Sequence, residues 1–179
     1  MVLGKEYSAK QVCEIAGVSN ASLQNWIKRK LIVGHREIKG GGEGPGRHRR
    51  FSFFNVVEIA MASKLIATGL QPKDAFKAAA DFAHVGGGGQ TFDLPERLPG
   101  FPFHFQHGYT IFGISEERTF EVIWMPGSTV DTYGQLRGFL HSDDFITINA
   151  TKLFDNICSK MGLHPNVVLD NVYPEEVTA

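Results

Sequence analysis

Two short runs hold the side chains best suited to meeting a partner. Ser19–Arg29, SNASLQNWIKR, offers hydroxyls, carboxamides and cations at Ser19, Asn20, Ser22, Gln24, Asn25, Lys28 and Arg29. The second run is Arg47-His48-Arg49-Arg50. A carboxamide sets an acceptor beside a donor, the pattern that pairs bidentately with adenine in the DNA major groove. Clustered guanidinium groups hold phosphate oxygens or enter a minor groove. The plain alternatives are a solvated helix face and a surface charge run, so the elements carrying the two runs must decide.

Ser8-Ala9-Lys10-Gln11 reads as a capping box, in which Ser8 accepts from the Gln11 N–H and the Gln11 side chain returns to Ser8. The helix it opens places Ala9, Val12, Cys13 and Ala16 on one face and ends at Gly17, which supplies a positive φ. Val18 points inward and Ser19 caps a second helix running to about Lys30, with Leu23, Trp26 and Ile27 as its buried stripe. Two short helices around a Gly turn form a helix-turn-helix, whose second helix lies in the major groove. Leu31-Ile32-Val33 then begins a strand, and Gly34–Gly46, with six glycines and one proline, forms a hairpin tip. Arg47–Phe51 returns as the basic strand of a wing. A third helix follows, capped by Asn55 with Glu58 as its box partner or by Ser52, with Val56, Ile59, Ala60, Ser63, Ile66 and Ala67 in helical spacing, and Gly69 ends it. Pro72 stands at N1 of a fourth helix, Pro72–His84, that buries Ala75, Phe76, Ala79 and Phe82.

Residues 7–77 resemble the DNA-binding domain of the MerR family. Ser22-Leu23-Gln24-Asn25-Trp26-Ile27 stands at that family's Thr-Leu-Arg-Tyr-Tyr-Glu run, Lys30-Leu31-Ile32 at its Gly-Leu-Ile, and His48-Arg49-Arg50-Phe51 at its Tyr-Arg-x-Tyr wing strand. Leu23, Trp26, Leu31, Ile32 and Phe51 keep the apolar and aromatic frame, and Arg49 keeps the wing arginine. Gln24 replaces an arginine and Asn25 a tyrosine. The resemblance implies a winged helix-turn-helix that binds double-stranded DNA as a homodimer. The family's long dimerising helix would have to cross Gly86-Gly87-Gly88-Gly89, which a helix resists, and no heptad repeat follows. The cysteines of the metal-sensing branch are absent.

Charge divides the chain. Its net charge is −1, yet residues 1–80 hold 13 Lys and Arg against 6 Asp and Glu, and residues 81–179 hold 5 against 13. A half at +7 suits a polyanion and a half at −8 does not. This gives a DNA-binding domain over 1–85, a Gly-rich linker over 86–92, and a small acidic domain over 93–179 for dimerisation or for a protein or small-molecule effector. In that second domain Phe101, Phe103 and Phe105 alternate, as do Tyr109, Ile111 and Gly113. Thr119–Met125 alternates beyond a turn at Ser115–Arg118, with Phe120, Val122 and Trp124 on one face, and Phe145–Ile148 is a further short strand. Asn149 or Thr151 caps a last helix with Leu153, Phe154, Ile157, Cys158 and Met161 on one side. Gly162 and Pro165 stop it, leaving a loosely packed tail from Asn166. The fold class is α+β.

Catalytic and metal chemistries find little footing. His104-x-x-His107 and His141-Ser142-Asp143-Asp144 lack the spacing of familiar metal sites. GGGEGPG at 40–46 lacks the Lys-Ser/Thr ending of a phosphate loop, and no GxSxG occurs. Cys13 and Cys158 stand apart and read as small buried hydrophobes. No run reaches the ~20 apolar residues of a membrane span. The expectation is a cytoplasmic, nucleoid-associated, non-enzymatic regulator of transcription, of bacterial or phage origin, needing no cofactor or metal and acting as a repressor rather than an activator. An architectural factor of excisionase type and a protein-interaction adaptor are the rival readings.

Overall fold

The computed structural model describes residues 2–33, 49–88 and 95–174. It divides into two compact units, Met1–His84 and Val85–Ala179, each described on its own. The architecture is α+β, with helices and small antiparallel sheets.

In the first unit α1 (Ala9–Ala16) starts at the predicted capping box: Ser8 accepts from the Gln11 N–H and its own N–H donates to Gln11 Oε1 at 2.9 Å. Gly17 closes the helix at φ 67°, where a Cβ would be strained. Ser19 caps α2 (Asn20–Lys28), which stops two residues short of the sequence reading because Lys30 takes φ 55° after the cap at Arg29. Leu23, Trp26 and Ile27 are its buried residues, and Trp26 meets Phe76 of α4 (Pro72–His84) edge-on at 5.2 Å. Aromatic pairs of this kind add about 0.5–1.5 kcal/mol beyond burial, so this contact fixes α2 on the core.

The third helix, α3 (Phe53–Ala67), begins at Ser52, not Asn55. Ser52 accepts from the Asn55 N–H, and Asn55 is the N3 partner that bonds back to the Ser52 N–H. The misreading has a physical reason: Asn55 and Glu58 are both wholly buried and serve other partners than an Asn55 cap. The helix is buried on nearly every side from Phe53 to Ala62, so its face is wider than the predicted stripe; Leu65 is buried while Ala67 is exposed.

Leu31 and Ile32 do not form a strand. Arg50–Phe51 (β2) pairs antiparallel with Tyr7–Ser8 (β1), joining Tyr7 to Phe51 and Ser8 to Arg50. The basic strand is thus anchored on the chain before α1. The hairpin tip expected at Gly34–Gly46 lies outside the described residues.

In the second unit Gly87–Gly88 (β3) pairs with Glu96–Arg97 (β4), so two of the glycines expected in a linker belong to a strand ladder. A three-stranded sheet follows, with β5 (Tyr109–Ile114) between β6 (Thr119–Trp124) and β7 (Ile146–Asn149), antiparallel to each. The predicted hairpin turn is present, with the Ser115 N–H donating to the Arg118 carbonyl at 2.9 Å. Helix α5 (Thr132–Leu140), unforeseen from sequence, packs Leu136 and Leu140 on Val122. Asn149 caps α6 (Ala150–Met161), whose buried residues include Leu153, Phe154, Ile157 and Cys158. Gly162 ends α6, but Pro165 starts α7 (Pro165–Val172) at its N-terminus instead of stopping the chain. The described part of the tail read as loose, as far as residue 174, is therefore packed through Val168, Leu169 and Tyr173.

Phe101 and Phe103 are buried without forming a strand. Their segment is held by side chains. Tyr173 Oη donates to the Pro102 carbonyl at 3.0 Å and accepts from the Leu98 N–H at 2.9 Å. Arg97, 1 % exposed, reaches Glu121 at 2.6 Å, the Val85 carbonyl at 2.9 Å, and the carbonyls of Leu98 and Phe101 at 3.1 and 3.3 Å.

Candidate nucleic-acid interface

The Ser19 cap sets the start of α2 and with it the outward row of side chains. Its Oγ accepts from the Ser22 N–H at 3.0 Å and shares a hydrogen bond with Ser22 Oγ at 2.9 Å. The two hydroxyls named from sequence are thus engaged with each other, and Ser22 is only half-exposed. Asn20, Gln24, Asn25, Lys28 and Arg29 are exposed. At helical spacing they fall in two adjoining rows, Asn20–Gln24–Lys28 and Asn25–Arg29. Opposite them Leu23, Trp26 and Ile27 hold the helix to the core.

The strand β2 and the residue before it supply two cations, Arg50 and Arg49. Strand alternation buries Phe51 completely and leaves Arg50 exposed. Arg49, half-buried, donates from Nη1 to Gln24 Oε1 at 3.3 Å, and Gln24 Nε2 donates to Asn20 Oδ1 at 3.3 Å. The structure therefore brings Asn20, Gln24 and Arg49 into one hydrogen-bonded row. Arg47 and His48 lie outside the described residues.

Glu58 is the residue whose role the sequence reading missed. It is wholly buried in α3, accepts from the Val33 N–H at 2.6 Å through Oε1, and meets His84 Nε2 at 2.9 Å through Oε2. One carboxylate thus ties the end of the segment leaving α2 to the last residue of α4. The available signal was a lone acidic residue inside the apolar run Val56-Val57-Glu58-Ile59-Ala60, because a buried charge needs partners.

Among the described residues no group of three or more His, Cys, Asp or Glu side chains is placed to hold a metal ion. In the second unit His104 Nε2 bonds Asp170 at 3.0 Å, a local pair with no third ligand. No helix among the described residues is long and apolar enough to cross a membrane.

Comparison with known families matches residues 7–80 to the model described as MerR HTH family regulatory protein. No curated protein matches the chain. The match covers both runs of candidate contact residues and the helix α2 that carries the first. It supports a DNA-binding transcriptional regulator.

Proposed function

We propose, from the MerR-like helix-turn-helix domain of residues 7–80, that the chain is a sequence-specific regulator of transcription and acts as a repressor. Helix α2 lies in the major groove and presents Asn20, Gln24, Asn25 and Lys28 to base edges, with Ser19 and Ser22 at the helix start and Arg29 at its end. Arg47, His48, Arg49 and Arg50 lie along the backbone or the minor groove as the basic side of a wing. The observation that carries this reading is the exposed polar row of α2 set directly against Arg49, the residue just before β2, because readout and backbone anchoring must act within one groove width.

The repressor assignment rests on how α4 ends. It stops at His84, and the chain enters β3 at Gly87 with no helix continuing from it. The second unit, acidic and built around β5–β7, is then left to pair two copies or to bind an effector. Selection of duplexes from a random-sequence pool by the full-length protein tests the reading. Recovery of one motif, arranged as two half-sites, is the expected result. A pool that stays random after repeated rounds would remove the function.

A further inference from the structure

We propose that Arg49 determines base specificity through Gln24, by fixing the orientation of its carboxamide toward an adenine. The inference rests on the DNA-binding reading above. A glutamine amide on a solvent-exposed helix face can rotate end for end, exchanging its oxygen and its NH2 group. Here the choice is made by its neighbours. Arg49 is a donor only, so the group facing Nη1 at 3.3 Å must be the oxygen. That turns Nε2 to Asn20 Oδ1, which accepts from it at 3.3 Å.

The two bonds use one lone pair of Oε1 and one N–H of Nε2. The amide has two of each, so one acceptor position on Oε1 and one donor position on Nε2 remain, and their order is fixed. Adenine offers the matching pair in the major groove, its N6 amino group and N7. Guanine offers O6 and N7, two acceptors, which would set Oε1 against an oxygen. Arg50, the next residue, is exposed and makes no part of this row. Its positive charge attracts phosphate whatever the base.

The test is parallel selection from a random duplex pool by the full-length wild type, Arg49→Ala, Gln24→Ala, the double variant and Arg50→Ala, followed by affinities for the selected site with one adenine changed to guanine. Thermal melts confirm that each variant folds; Gln24 and Arg50 are exposed and Arg49 is half-buried. Wild type should discriminate adenine from guanine at one position by about tenfold or more. Gln24→Ala should abolish that discrimination. Arg49→Ala should bring it close to the Gln24→Ala level, and the double variant should lose no more than either alone. Arg50→Ala should weaken every duplex alike and keep the discrimination. Full discrimination by Arg49→Ala would overturn the inference while leaving DNA binding intact, and so would additive losses in the double variant. A wild-type pool with no enriched motif would overturn the DNA-binding reading itself, and this inference with it.

Discussion

Glu58 offers the sharpest test of how the first unit is held together. Glu58→Ala removes the acceptor of the Val33 N–H and the partner of His84 Nε2 from a site that is wholly buried. A hydrogen bond to a charged group contributes about 1.5–3 kcal/mol. The His84 side chain is 21 % exposed, so water recovers part of that contact. The expected loss is about 3 kcal/mol, at the lower edge of what breaking a buried pair costs. For a unit of this size that corresponds to a fall in melting temperature of roughly 12–24 °C. Glu58→Gln keeps the shape and an acceptor for Val33, and its amide can donate to a neutral imidazole, so about 1 kcal/mol is expected. The assay follows from the chain having two tryptophans. Trp26 is buried in the first unit, whereas Trp124 is 41 % exposed in the second. In a Trp124→Phe background, urea unfolding followed by fluorescence reports Trp26 alone. Equal losses for Glu58→Ala and Glu58→Gln, or a loss below 0.5 kcal/mol for Glu58→Ala, a size typical of surface changes, would refute the reasoning.

Three further predictions concern the second unit. Arg97→Met should cost about 3–5 kcal/mol by removing the cation that holds Glu121 and three backbone carbonyls, and Arg97→Lys should not rescue it, because one ammonium cannot span the same fork; urea unfolding followed at Trp124 in a Trp26→Phe background measures both. Gly113→Ala should cost about 1–2 kcal/mol, since its Cβ would stand 2.6 Å from Leu136 Cδ2 and 3.0 Å from Leu140 Cδ1; the same urea unfolding should show partial recovery with Leu136→Val. Burial pushes the Cys158 thiol up to about 12, with the Asp155 charge adding to it. Its preference for the protonated form therefore favours the folded state below about pH 9 and is lost as pH rises through about 12. At pH 8 a thiol reagent should label half-buried Cys13 first and reach Cys158 only on unfolding, which a timed labelling course with peptide mapping would show.

The first unit was legible because its signals are local. Ser8 with Gln11, Gly17, Ser19 and Pro72 each act within one helical turn, and each stands at the predicted boundary. What failed there was long-range. Asn55 and Glu58 imitate a capping box in sequence, but Ser52 takes the cap and Glu58 reaches Val33, 25 residues away. The basic strand likewise pairs not with the neighbouring apolar run Leu31-Ile32-Val33 but with Tyr7–Ser8, more than 40 residues away in the chain. The candidate interface followed the same rule. Which α2 residues are exposed was readable from periodicity, whereas the Arg49–Gln24 bond joins elements that sequence spacing does not connect. In the second unit α5 carries Gly134 and Gly138 within its nine residues, which hid its period. Pro165 reads equally as a stop or as a helix start, and only burial of Leu169 and Tyr173 decides.

On the proposed function, the first unit meets DNA through the polar row of α2 and through Arg49 and Arg50. The most direct measurement is the affinity of the full-length protein for its selected duplex as a function of salt, for wild type and Arg50→Ala. Logarithmic affinity should fall linearly with logarithmic salt concentration, with a slope of about −3 or steeper for three or four phosphate contacts, and Arg50→Ala should make it shallower by about one. A flat dependence, or a slope that Arg50→Ala leaves unchanged, would contradict the account.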